Sequence, residues 1–413
     1  MSSSDDDVAV PSGLRVLRDR NYWPYFVGNL TSNCGTWFQN IAQALLIYRL
    51  THSTLLVGVV NFAQFVATFV LAPWSGGAAD RFDRRRLMIA MQLASTAVTG
   101  VLALAAATHH ATAPVVIVLA LLLGTATAFS VPAMQALVPL LVPAHELAGA
   151  IALNSVTFNL ARAIGPVLGA LVVARLGIPA AFALNSLSYL ALVAALVIVH
   201  PRPQGARPHQ RPKLTDSIKL VRGDAQLMAL LFTVVALSLT SDPVNTLTPG
   251  FATDLFHRSD TLVGVLVGAF GVGAVLAAFF SGREPRDVMR RVVATMAVLG
   301  LGMAGFALSP NEWVGLVALV IAGVGYLASN TAATTAIQLG VDDNQRGRVM
   351  ALWSVAFLGI RPFGSLADGA VAQRVGLRPA GVLMALPALA AAVVLGVRRL
   401  RQSRPTAPPR ARA

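Results

Sequence analysis

Residues 152–172 read ALNSVTFNLARAIGPVLGALV, and 199 positions later residues 351–371 read ALWSVAFLGIRPFGSLADGAV. With no gap, Leu153 falls on Leu352, Ser155 on Ser354, Phe158 on Phe357, Arg162 on Arg361 and Gly165 on Gly364. An arginine inside an apolar helix is rare, because its charge is expensive to hold in hydrocarbon. Its recurrence in two matching frames therefore marks an internal repeat, the construction of transporters made from two related halves. A channel can also be built from repeats, but the sequence holds nothing resembling a selectivity filter or a ring of like charges.

Working outward, the chain is an alternation of apolar runs and short polar loops. Of its 413 residues 55% are hydrophobic and 12% charged, against roughly 25% charged in an average soluble domain. Runs such as 87–107, 111–130, 178–199, 292–308, 314–328 and 381–397 have the ~20-residue length needed to cross ~30 Å of hydrocarbon as a helix. The expected fold is an all-α polytopic membrane protein with twelve transmembrane helices in two six-helix bundles. The first, fifth, seventh and eleventh segments are the more polar ones. The seventh reads as one helix over 225–256 and the eleventh as one helix over 348–371. The proline-rich basic stretch 200–220 reads as a linker, giving an N-terminal half 1–199, a C-terminal half 221–400 and a flexible tail 401–413.

A net charge of +14 suggests nucleic acid until the charges are placed. Arg and Lys crowd into alternate loops: Arg15, Arg18 and Arg20, then Arg81–Arg86, 202–222, 283–291, Arg346 with Arg348, and the stretch from Arg398 onward. The opposite loops carry only Arg49, Arg175, Arg258, Arg374 and Arg378. That bias predicts both termini and the central linker in the cytoplasm, with membrane lipids as partners of the basic loops and no role for nucleic acid. No apolar run precedes Asn21, so the first helix is expected to serve as the insertion signal, with no cleavable signal peptide. The one cysteine, Cys34, excludes an internal disulfide and a Cys-cluster metal site. Seven histidines without metal spacing, no phosphate loop and no dinucleotide fingerprint predict no metal, no cofactor and no enzymatic activity.

Function should reside in the polar residues of the spans. Asp242, in the stretch Ser238–Asn245 beside Pro243, is the candidate for proton exchange as a site alternates. A static, hydrogen-bonded aspartate at a proline bend is the competing reading. Arg162 and Arg361 either stabilise a central interface or contact an anionic group. Asp368 shares a helix face with Arg361 seven residues earlier and is placed near the outer end of its helix. Amides on lipid faces are expensive, so Asn33, Asn40, Gln43, Gln135, Asn154 and Asn245 are expected to line a cavity. Trp37, Trp353 and Phe357 would add contacts for an amphipathic solute. Gly165, Pro166 and Gly169 mark either a bend in the fifth helix or a tight helix crossing. The stretch Gly76-Gly77-Ala78-Ala79-Asp80-Arg81-Phe82-Asp83-Arg84-Arg85-Arg86 can hold a charge pair made in one conformation and released in another, or can simply keep its loop inside.

That last stretch resembles the loop signature of the major facilitator superfamily, G-x-x-x-D-R/K-x-G-R-R/K, with Asp83 where the pattern has glycine. The form DRFDRRR, the run Asn29–Trp37, Leu50-Thr51-His52-Ser53, and Pro143 to Leu147 leading into Asn154-Ser155 are similar to the bacterial exporter subgroup that includes enterobactin and multidrug efflux proteins. The resemblance covers essentially the whole chain. It implies a multi-pass transporter of the cell inner membrane that exports a small organic solute, drug-like or siderophore, by alternating access and proton antiport, working as a monomer. Gly76, Asp80, Arg81, Arg84, Arg85 and Arg86 would then form the cytoplasmic gate. Gly165-Pro166 with Gly169 is similar to the antiporter element of that family. Uptake or flipping of a lysolipid-like solute is the alternative within transport, and a non-transporting receptor or scaffold the alternative outside it.

Overall fold

Helix starts and stops follow from side chains that satisfy the free backbone groups at helix ends. The computed structural model describes residues 13–202, 220–280 and 287–402; most of the expected linker and nearly all of the tail lie outside them. Among the described residues, twelve long helical stretches are built from α1 Trp23–Thr51, α2 Thr54–Arg81, α3 Arg84–Ala107, α4 Ala113–Leu141, α5 Leu147–Leu176, α6 Ile178–Ile198, α7 Ala225–Ser241, α8 Thr261–Phe280, α9 Val288–Ala307, α10 Glu312–Leu339, α11 Asp343–Ser354, α12 Arg361–Val375 and α13 Leu377–Gln402. Eleven helical spans among the described residues are long and apolar enough to cross a membrane. The stretch outside that set is α1, whose 29 residues include Asn29, Asn33, Gln39, Asn40 and Gln43.

Two segments depart from the expected single helices. The seventh breaks after Ser241 and continues as short helices at Pro243–Thr246 and Thr248–Gly250 and a π turn at Phe251–Leu255. Pro243 and Pro249 each remove a ladder N–H, so regular pairing cannot run through. The eleventh begins earlier than expected, at Asp343, and passes through a π turn at Val355–Gly359 before α12. Pro362 in the first turn of α12 again leaves a carbonyl one turn back without its usual donor.

The chain clusters into two compact units, Met1–His209 with His257–Gly268, and Gln210–Phe256 with Ala269–Ala413. In the first, α1 packs on α5 and α6, α2 on α4, and α3 on α4 and α6. Tyr22, Tyr25, Met88, Leu137, Leu141 and Leu196 form an apolar cluster there. In the second, α9 packs on α10 and α13, and α7 on α10 and α13. Val221, Leu227, Leu230, Val234, Ala333 and Ile337 make its core, flanked by Trp353 and Phe357.

The repeat seen in the sequence reaches the backbone. Gly177 and Gly376, 199 positions apart, hold φ of +88° and +87°, where a side chain would be strained. Their N–H groups close the preceding helices on the carbonyls of Val173 and Ala372. Asp83 caps α3 by accepting from the Arg86 N–H at 2.8 Å, and Asp287 caps α9 by accepting from the Arg290 N–H at 2.9 Å. Gly124 and Gly323, again 199 apart, each lie against a neighbouring helix backbone, at the carbonyls of Gln64 and Phe270.

Candidate functional site

In the first unit the polar side chains of the spans are wired to one another. Ser188 donates to Asn185 (2.9 Å), Asn185 to Gln39 (2.6 Å), Gln39 to Gln43 (3.4 Å), Gln43 to Gln64 (2.9 Å) and Gln64 to Asn40 (3.5 Å). The relay runs head to tail from α6 through α1 to α2, and bonds aligned in this way polarise one another. A second set joins Asn33 to Asn29 (3.0 Å) and Asn29 to Asn154 on α5 (3.0 Å). Thus Asn33, Asn40, Gln43 and Asn154 are brought into amide networks. Gln39, Gln43 and Asn185 are buried, so these amides hold helices together as well as facing any cavity. Gln135 is exposed, while Arg162 is half-buried.

The glycines of α5 serve close crossings. A Cβ at Gly165 would lie 2.7 Å from the Trp37 Cβ, and one at Gly169 3.0 Å from the Phe38 Cα. The Pro166 carbonyl and Ala170 are met in turn by Gly264 of α8. Pro166 sits inside the continuous helix Leu147–Leu176.

At the C-terminal end of α2, Asp80 and Arg81 are exposed and Gly76 is half-buried. Asp83, the departure from the family pattern, has a local task as the α3 cap. Arg85 donates to the carbonyls of Leu196 and Val197 at the end of α6, where a cation also meets the negative end of the helix dipole. A cavity of about 680 Å³ opens beside this loop, lined by Arg84, Arg85, Arg86, His200 and Arg202 among apolar Ile89, Leu137 and Leu140.

The second unit carries ions instead. Asp242 stands at the break between α7 and the Pro243–Thr246 turn, 4% exposed, and accepts a hydrogen bond from Ser365. Arg361 interacts electrostatically with Asp242, and its guanidinium carbon lies 5.1 Å from the Phe357 ring centre. Phe357 stacks on Trp353 (4.9 Å, 16°) and is followed by Tyr326 at 6.5 Å and Phe270 beyond it. The π turn at Val355–Gly359 sets this phase, and Ser238 fixes it by donating to the Phe357 carbonyl (2.7 Å). Asn245 is half-buried. Trp353 Nε1, Arg361 Nε and Asn330 Oδ1 are buried without a hydrogen-bond partner, which is uncommon in a packed interior. Asp242, Trp353, Phe357 and Arg361 thus come together. Asp368 lies two turns before the end of the span Leu352–Val375, fully buried, with neither oxygen hydrogen-bonded. No group of three or more His, Cys, Asp or Glu residues able to hold a metal occurs among the described residues.

Residues 12–410 match the family model described as transmembrane secretion effector. The chain is 26% identical over 402 residues to the enterobactin exporter EntS of Escherichia coli, covering 92% of this chain and 93% of that one. It is 22% identical over 378 residues to macrolide efflux protein A of Streptococcus pyogenes, covering 87% and 93%. In fold it is similar to the inward-facing, occupied crystal structure of a bacterial homologue of the human lysosomal transporter Spinster, with a TM-score of 0.73 at 14% identity over 94% of this chain and 99% of that one. With its apolar spans, its repeat and its polar interiors, the chain belongs to the transmembrane secretion effector family of the major facilitator superfamily, whose members are polytopic secondary transporters of small organic solutes and not enzymes.

Proposed function

We propose that this protein is an exporter of a small amphipathic organic solute, drug-like or siderophore, driven by proton antiport and alternating access between two six-helix bundles. The observation that carries the reading is the buried cluster of Asp242, Ser365 and Arg361 beside the Trp353–Phe357 stack. Buried ionisable groups inside a membrane are costly and mark ion or substrate pathways. The aromatic faces suit an apolar ring system, and Arg361 and the unpartnered donors suit its polar groups. The similarity to an enterobactin exporter and a macrolide efflux protein supports export and this range of cargo. In this reading α1 is the twelfth span, its amides satisfied by α2, α5 and α6. The protein acts as a monomer in the inner membrane with both termini in the cytoplasm. Gly76, Asp80, Arg81, Arg84, Arg85 and Arg86 form the cytoplasmic gate. Asn33, Trp37, Asn40, Gln43, Gln135, Asn154, Arg162 and Asn245 contribute to the cavity, and Gly165, Pro166 and Gly169 give α5 its bend.

The test uses proteoliposomes and a panel of siderophores and cationic dyes, comparing transport driven by a pH gradient with counterflow in the same vesicles. Wild type should concentrate at least one solute against its gradient. In Asp242→Asn the ratio of gradient-driven transport to counterflow should fall at least about tenfold, which is ~1.4 kcal/mol of lost coupling. An unchanged ratio would give Asp242 a structural role, and no gradient-driven movement by wild type would remove proton antiport.

A further inference from the structure

Along α12, Arg361, Ser365 and Asp368 recur at i, i+4 and i+7 and so share one face. Ser365 points that face at Asp242 through its hydrogen bond. Gly364 keeps the approach open, since even a methyl group there would lie 3.5 Å from the Asp242 carboxylate. Asp368 is 0% exposed and close enough to Asp242 for the two carboxyls to interact electrostatically.

The partners divide unevenly. Asp242 has a guanidinium beside it and a hydroxyl donor on it. Asp368 has neither: both of its oxygens are buried with no hydrogen-bond donor. The elements packed against α12 are α13, the Pro243–Thr246 turn, α7 and the Val355–Gly359 turn. Their sequences add no second cation near the pair. The arginines of α13 stand in its first and last turns, α7 and both turns contain none, and Arg374 closes the far end of α12. One buried carboxyl, Asp242, is therefore matched by a guanidinium, and its neighbour Asp368 is not. An uncompensated charge in such an interior is far more costly than a neutral acid. Neutrality requires one proton on the pair, and the carboxyl without donors is the one that gains most by holding it.

We infer that Asp368 is a second proton-binding residue of this transporter, neutral in the conformation described here, while Asp242 is the charged partner of Arg361. The inference rests on the proton-antiport reading and gives that reading a site for its proton. Release breaks the O–H bond of Asp368, hands the proton to water, and leaves an unpaired carboxylate beside that of Asp242. That state is stable only if water or another donor reaches α12. Loading reverses the step. Asp242 and Asp368 titrate as a pair, so the exchange belongs to both, with Asp368 its resting holder.

The experiment is infrared spectroscopy of the purified full-length protein in detergent across neutral and alkaline pH, reading the carbonyl stretch of a protonated carboxylic acid and its shift in heavy water. Wild type should show such a band at neutral pH and lose it on alkaline titration. Asp368→Asn should abolish the band, and Asp368→Glu should restore it at a shifted frequency. The Glu variant separates loss of the acid from loss of the fold. A band that survives Asp368→Asn, or that disappears only in Asp242→Asn, overturns the inference while leaving antiport intact. Wild-type protein that shows the Asp368 band yet moves no solute on a pH gradient retains the inference about the proton and overturns the antiport reading.

Discussion

The two units solve the same problem, polar groups in an apolar interior, with different chemistry. The first uses neutral amides joined donor to acceptor, from Ser188 to Asn40. The second uses Asp242, Asp368 and Arg361, with both Asp368 oxygens left without a donor. A satisfied amide relay rigidifies the helices it joins and carries no net charge to change. A buried ion cluster with unequal partners is responsive, because a proton, a water or a solute changes its balance. The difference teaches that a duplicated backbone can keep its packing devices while one copy specialises in holding shape and the other in responding.

The most forceful way to test the shared part of that comparison is at the paired glycines. Gly124→Val and Gly323→Val each press a side chain onto a facing backbone carbonyl, of Gln64 and of Phe270, which cannot move aside as a side chain would. Each should cost about 3 kcal/mol or more and reduce the yield of monodisperse protein on size-exclusion chromatography severely. If one copy tolerates valine, the two units differ in packing as well as in polarity.

A smaller effect addresses the neutral wiring. Asn185→Leu leaves the Gln39 carbonyl oxygen without its buried donor, while the Ser188 hydroxyl keeps the backbone carbonyl of residue 185, at ~1–3 kcal/mol. Thermal unfolding in detergent should shift by a similar amount at every pH between about 5 and 9, where side-chain amides do not titrate. A strong pH dependence of that shift would mean the first unit is coupled to a titrating group and would blur the contrast.

The smallest effect lies at the helix caps. The backbone N–H of Arg290 holds the Asp287 carboxyl below the usual carboxylate range, with the Arg399 guanidinium adding to it. A depressed folded value means that its contribution is present at neutral pH and fades as pH falls through that value. Removing the cap by Asp287→Ala should lower the unfolding midpoint by at most a few degrees at pH 7. The gap should close as pH falls below the usual carboxylate range. A gap that widens on acidification would reverse the sign and refute the assignment.

Much of the architecture was legible in order along the chain, because span length and loop charge are local properties. The arginine repeat has the same 199-residue spacing as the paired glycines Gly177 and Gly376, and the stretch around Asp242 and Pro243 marks where the regular seventh helix ends. Hydropathy alone leaves α1 outside the apolar spans, because it carries amides whose partners on α2, α5 and α6 no local window contains. Gln39 and Asn185 went unread for the same reason: they meet across 146 positions. Asp368 was visible as a helix-mate of Arg361, but its depth and lack of donors depend on α13 and α7 packing over it. The π turns were hidden because their cause, a proline displaced by a few residues, is also compatible with an ordinary kink.

The π turn at Val355–Gly359 also has a mechanical meaning. It is a dislocation in a helical lattice, one surplus residue held by longer pairings. Such a defect can travel by exchanging a few hydrogen bonds at a time, and every residue it passes is re-phased by about 100° about the axis. The stretch from α11 to α12 can therefore yield by rotating its side chains in place, at nearly constant length. Its counterpart α5, helical without interruption from Leu147 to Leu176, can yield only by bending or by tilting as a rod.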